Sequence, residues 1–289
     1  MTAELTPPRG VELDSLTAAV NVLRPAISAI NLTDGAGARV RMSSFAASIG
    51  VKQLGLEPIM QVTCRDRNRI ALQSDLLGAA AFGVENVLVL GGDHVEAGDD
   101  PQAKSVFDLD STGLLSAMCR MSEDSSTMSG SRLTSAPSFF PGAADTPIDP
   151  AADWMPQRLR DKIEAGARFV QTQYCFDMEL LARYMARLRD HGLTEKAYFL
   201  VGLGPLRSAD AARFMRDKLW GTVMPGGIIR RMEAARDTRQ EGVRICAELL
   251  QQAREIDGIA GAHLMAPGAH QEIVAAVRLA GVMQASTGS

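Results

Sequence analysis

The sequence predicts a (β/α)8 barrel, one domain spanning residues 1–289, on three observations. Eight short runs rich in β-forming residues alternate with segments of helical period. Most of these runs are continuously apolar, as parallel strands buried on both faces require. The competing α/β architecture, a doubly wound sheet, lacks its phosphate signature, since no G-x-G-x-x-G follows the first run.

The strand-like runs are AELTP (3–7), ISAINLT (27–33), PIMQVTC (58–64), NVLVL (86–90), RLTSAPSFF (132–140), FVQTQYC (169–175), AYFLVGL (197–203) and GAHLMA (261–266). Between them, residues 66–83 open on Asp66 and keep Ile70, Leu76, Leu77 and Ala80 on roughly one face. In residues 177–192, Leu181, Tyr184, Met185 and Leu188 repeat at i, i+3, i+4, i+7, with Asp177 as N-cap and Gly192 just past the end. Residues 230–256 are too long for one plain helix, and Gly242 is expected to split them. Residues 121–131 and 141–152 read as loops.

Composition narrows the function. A net charge of −4 excludes a general nucleic-acid binder, which needs a basic face to displace counterions. No apolar run of about 18 residues exists, so no membrane association is expected. MTAELTPPRG has neither the basic start nor the apolar run of a leader. Four cysteines without C-x-x-C spacing fit a reducing cytoplasm, exclude a conventional zinc site and read as packing residues.

Chemistry in such barrels gathers where strands end, because the loops there vary over a rigid core. Those ends carry Glu4, Thr33 with Asp34, Thr63 with Cys64 and Asp66, Asp93 with His94, Phe140, and Gln173. No Ser-His-Asp order and no metal-type cluster emerges. Each candidate has an ordinary alternative. Glu4 reads equally as a fraying terminal acid, Asp93 after Gly91-Gly92 as a helix cap, and Gln173 as a loop partner. Lys104, Arg158 and Lys162 suit a phosphate, though for Arg158 and Lys162 taken alone a solvated charged face is the commoner reading. His263 reads as core and His94 as a bystander.

The blocks AELTPPRG, VTCRDRNRIALQSDLLGAAAFGVENVLVLGGDH, GDDPQAKSVFDLDS, DKIEAGARFVQTQYCFD, PLRSADAARFM and GVRICAELLQQ…GIAGAHLMAPG occur in this order and cover nearly the whole chain. Together they resemble the methylenetetrahydrofolate reductase family. The resemblance implies a barrel flavoprotein of one-carbon metabolism and methionine biosynthesis. Hydride would pass from reduced FAD to 5,10-methylenetetrahydrofolate, giving 5-methyltetrahydrofolate or running in reverse, with NADH or NADPH as electron donor.

It further implies residue roles. Glu4 matches the acid that protonates the folate, which works best with its pKa raised. Asp93 matches the acid beside flavin and pterin, and Gln173 the amide that reads the pterin. Thr33, Gln61, Gly91, Gly92, Asp93, Phe140, Arg158 and Lys162 fall on the cofactor side. Gln61, Gly91, Phe140 and Met155 depart there from the family's His, Arg, Tyr and acid. The aromatic residue that stacks on substrate after the seventh strand has no equivalent in GPLRSADA. A homo-oligomer is expected, with an electron-transfer partner subunit as an addition. The alternatives are a member taking hydride directly from a nicotinamide with weak or no flavin, and a non-catalytic folate- or flavin-binding subunit.

Overall fold

Eight parallel strands close on themselves in sequence order, and the last pairs with the first. The computed structural model describes residues 1–282; residues 283–289 of the expected domain lie outside the described part. The strands are β1 (Thr2–Leu5), β2 (Ala29–Leu32), β3 (Glu57–Thr63), β4 (Asn86–Leu90), β5 (Phe140–Asp145), β6 (Phe169–Tyr174), β7 (Tyr198–Leu203) and β8 (Ile259–Leu264). Helices α1 (Asp14–Leu23), α2 (Ser44–Gln53), α3 (Arg69–Ala81), α4 (Ser111–Glu123), α5 (Gln157–Glu164) and α6 (Met178–Asp190) follow the first six strands. Three more, α7 (Ala209–Lys218), α8 (Gly226–Ala234) and α9 (Thr238–Arg254), separate β7 from β8, and α10 (His270–Leu279) ends the barrel. No helix among the described residues is long and apolar enough to cross a membrane.

The strands are apolar on both sides because each side meets a different core. Outward residues such as Ile30, Val87, Val170 and Val201 pack under the helices. Inside the barrel, Ile59, Leu88 and Phe169 form a separate apolar plug near the strand starts. Above it lies a polar layer. Asn31 Nδ2 donates to Gln171 Oε1 at 2.6 Å, and Gln171 Nε2 returns the bond to Asn31 Oδ1 at 3.0 Å and reaches Thr2 Oγ1 at 3.1 Å. Every member is partnered, which is what allows amides at nearly zero exposure.

The first strand does not fray. β1 is hydrogen-bonded to β2 on one side and β8 on the other, placing Glu4 opposite Asn31. The expected helix over 178–190 is present, with Asp177 accepting from the Leu180 amide at 2.9 Å and Leu181, Tyr184, Met185 and Leu188 fully buried.

Three expectations need correction. The fifth strand is 140–145, not 132–140. Phe169 lays its ring over Gly142, where an added Cβ would sit 2.2 Å away, so this strand is built from small residues and lacks a β-propensity signal. The helix after β3 is capped by Asn68 rather than Asp66, and its buried stripe is Leu72, Leu76 and Ala79; Ile70 is 71% exposed. Finally, α9 runs unbroken through Gly242, and the chain breaks earlier, around Ala235–Asp237.

Candidate active site

At the strand ends a cavity of about 530 Å³ opens over β1, β3 to β6 and β8 and the loops after β5 and α7. The structure brings Glu4, Gln61, Gln173, Arg158 and Lys162 together on its wall. Thr33, Gly91, Gly92 and Asp93 do not line it and occupy the loops after β2 and β4. Phe140 is absent from both groups. It begins β5 at the opposite end of the barrel, where it stacks on Phe169 with ring centroids 5.6 Å apart. The β5 residues that meet the cavity are Ala144 and Asp145.

Glu4 is half-buried at the cavity floor. Its Oε2 accepts a hydrogen bond from Gln61 Nε2 at 2.9 Å and lies 3.8 Å from His263 Nε2. The other ring nitrogen, Nδ1, is 2.9 Å from Thr2 Oγ1, which ties the imidazole to the polar layer below. Burial pushes the Glu4 carboxyl up, but the neighbouring imidazole and the Gln61 amide together outweigh it and hold the carboxyl below its ordinary range. This is the reverse of the raised value expected for a general acid. The sign of the consequence is fixed. The fold favours ionised Glu4, so this contribution to stability is present above the ordinary carboxyl pKa and lost as pH falls through the lowered one. Removing the imidazole leaves burial dominant. His263→Asn is therefore expected to move the acidic group governing folate turnover to higher pH in a pH–rate profile. An unmoved profile would show that His263 does not act on Glu4.

Gln173 owes its position to an irregularity in β6. The register with β7 shifts between Gln171 and Tyr174. Thr172 Oγ1 stabilises the bulge, accepting from the Gly202 amide at 2.8 Å and donating to the Gln173 carbonyl at 2.9 Å. Gln173 Oε1 accepts from the Tyr174 amide at 2.9 Å, so the carboxamide points its NH2 at whatever occupies the cavity.

Sequence reasoning missed a carboxylate in the cavity. Tyr184 Oη donates a hydrogen bond to Asp145 Oδ2. Burial raises the Asp145 pKa against the opposing effects of Tyr184 and of Lys162. Lys162 donates to the Ala144 carbonyl at 2.7 Å, and its own pKa is lowered, burial outweighing the pull of Asp145. Both members of this neighbouring pair are thus driven toward neutrality. Arg158, in the first turn of α5, is exposed at the cavity mouth.

The rim formed by the β2, β3 and β4 loops is tightly tied. Asp34 accepts from the Thr63 amide at 2.8 Å and from Thr63 Oγ1 at 3.0 Å, and it pairs with Arg67. Arg65 is 3% exposed and reaches the Gly35 carbonyl at 3.2 Å. Asp93 accepts from the Gly37 amide at 2.8 Å, so it joins two loops and caps no helix. Thr33 Oγ1 is buried with no partner. Such an orphaned hydroxyl calls for a polar ligand group at the end of β2.

The glycine pair divides its roles. Gly92 has φ +102°, and an added Cβ would lie 2.9 Å from Arg65 Cβ and 3.1 Å from Thr63 Cβ. At Gly91 an added Cβ meets nothing within 4 Å. Gly92→Ala is expected to cost about 1–3 kcal/mol through backbone strain and contact. Gly91→Arg should leave the urea midpoint unchanged while strengthening the binding of phosphate-bearing cofactors. Equal losses at both positions would refute this division.

Burial raises the Cys64 thiol to about 11 and those of Cys175 and Cys246 to about 12, which fits packing residues rather than nucleophiles.

A closed parallel barrel with two carboxylates, several amides and two cations gathered over its strand ends has the arrangement of barrel enzymes with a pocket for a large polar ligand. The particular family follows from comparison. A family model described as methylenetetrahydrofolate reductase matches residues 1–278, and the chain belongs to that family. Solved structures share the fold. One is a Clostridium thermocellum protein described as binding two copies of 5-methyl-5,6,7,8-tetrahydrofolic acid. It is 14% identical, with a TM-score of 0.63 over 96% of this chain and 93% of its own. DmoA from Hyphomicrobium sulfonivorans is 9% identical, with a TM-score of 0.58 over 96% of this chain and 85% of its own. The EDTA monooxygenase EmoA from Chelativorans sp. BNC1 is 10% identical, with a TM-score of 0.59 over 98% and 95%.

Proposed function

We propose that this protein reduces 5,10-methylenetetrahydrofolate to 5-methyltetrahydrofolate, using FAD and a nicotinamide donor, in the cytoplasm and as a homo-oligomer. The observation that carries this reading is the cavity itself: Glu4, backed by His263, and the NH2 of Gln173 open into one space of about 530 Å³. The matching family supports it.

The chain's own groups divide the work. Gln173 donates to an acceptor on the pterin edge and fixes the ring's orientation. Glu4 passes the folate the proton that opens the imidazolidine ring to an iminium. It takes that proton up once the bound folate excludes water and burial prevails over His263 and Gln61. The apolar plug below keeps bulk water from the barrel side. A flavin supplies the hydride when bound. The residues fit one: Thr33 offers its orphaned hydroxyl, Asp93 a carboxylate on the rim, and Arg158 with Lys162 the cations for phosphates.

A second reading rests on Asp145. A carboxylate beside Lys162, whose ammonium already serves a carbonyl, weakens the attraction for a diphosphate. That favours weak flavin binding, or hydride transfer directly from a nicotinamide. One experiment separates the two: the visible spectrum of freshly purified protein, followed by anaerobic oxidation of 5-methyltetrahydrofolate with menadione. A yellow protein, or turnover that depends on added FAD, supports the flavoenzyme. A colourless protein that FAD cannot reconstitute, yet which reduces the folate with NADH alone, supports the second reading.

A further inference from the structure

The polar layer under the cavity has a direction, because an amide nitrogen only donates and its oxygen only accepts. Asn31 Nδ2 donates to Gln171 Oε1, and the Gln171 NH2 returns one proton to Asn31 Oδ1. Its second proton goes to Thr2 Oγ1 at 3.1 Å. Thr2 therefore accepts from below, and its own hydroxyl proton needs an acceptor. Among the described residues it meets His263 Nδ1, 2.9 Å away. Thr2 and His263 lie opposite each other where β8 closes on β1, so barrel closure itself makes this contact.

A neutral imidazole carries a single N–H, and the hydrogen bond at one nitrogen decides which nitrogen holds it. With Nδ1 accepting from Thr2, the proton sits on Nε2, the nitrogen 3.8 Å from Glu4 Oε2. The Glu4 side agrees independently. Gln61 Nε2 also donates to Oε2, so that oxygen is an acceptor, and a bare lone pair on Nε2 would be repelled by it. Both donors meet Oε2, and Oε1 has no hydrogen bond among the described residues. Oε1 is the oxygen left to face a ligand.

We infer that Thr2 is a positioning residue: its hydroxyl sets the His263 tautomer, which turns Nε2–H to Glu4 and leaves Oε1 to exchange a proton with the folate. The role rests on Glu4 being the acid of the proposed reaction. Thr2 does not line the cavity and acts only through the imidazole. The chain is no proton wire, since the carboxamides below Thr2 keep their protons.

Protein labelled with ¹⁵N-histidine, without ligand and at about pH 8, should show His263 as the Nε2–H tautomer in long-range ¹H–¹⁵N spectra. Its signals are those missing from His263→Asn. Thr2→Val keeps the shape and removes the hydroxyl. It should lose the single tautomer and slow the folate half-reaction by about 3- to 10-fold, with the folate KM within about twofold. Thr2→Ser restores the hydroxyl and should recover both the tautomer and the rate. An Nδ1–H tautomer in the wild type would overturn the inference, as would Thr2→Val with the tautomer retained or Thr2→Ser as slow as Thr2→Val. A wild type that shows the Nε2–H tautomer but turns over no folate would remove the folate reading, and the positioning role with it, while the tautomer itself stood.

Discussion

Glu4→Gln should slow the folate half of the reaction by about 10²- to 10⁴-fold, the range of a lost general acid. Reduction of bound cofactor by the nicotinamide donor should stay within about twofold, because that step needs no proton from Glu4. The substitution keeps the shape of the side chain and its contact with the Gln61 amide region, so the fold gives up only the stabilisation of the ionised carboxylate. It removes the carboxyl beside His263 that can pass a proton to the folate. The two half-reactions, followed separately by stopped-flow absorbance, decide the matter. Equal loss in both would make Glu4 a structural residue.

Gly242→Ala should destabilise the barrel by about 3 kcal/mol or more, among the larger effects of any single methyl group. An added Cβ would lie 1.8 Å from the Leu206 carbonyl oxygen and 2.7 Å from its carbon. Backbone cannot swing aside as a side chain does. Either α9 withdraws from the loop after β7, or that loop is displaced from the cavity. Urea denaturation with a midpoint equal to wild type would show that the approach is looser than the geometry indicates.

Gly242 also shows why part of the fold was legible in the sequence and part was not. Within a helix a glycine reads as a break, because its local propensity is poor. Here the missing side chain is required by a residue 36 positions away, and no local pattern records that. The fifth strand went astray for the same reason. Leu133, Phe139 and Phe140 resemble a strand more than Gly142, Ala143 and Ala144 do, yet the small residues are the ones that Phe169 admits. Strands with continuous apolar runs, such as 86–90, and the helix with a regular stripe, 178–190, were legible because their pattern and their burial coincide.

The site divides along similar lines. Glu4 and Gln173 stood at strand ends, and pattern alone left a fraying acid and a loop partner as equal readings. Pairing of β1 on both edges and the bulge in β6 are what place them. Asp145 was hidden by the misread strand. His263 was legible as buried but not as the neighbour of Glu4, since the two are joined only when β8 closes on β1.

The most direct test of the central claim is product analysis. Protein, FAD and NADH or NADPH are incubated anaerobically with 5,10-methylenetetrahydrofolate, and the folates are separated by chromatography. Formation of 5-methyltetrahydrofolate by the wild type, and its loss in Glu4→Gln with the fold retained, is the expected result. No 5-methyltetrahydrofolate with either donor, or equal yields from wild type and Glu4→Gln, would contradict it.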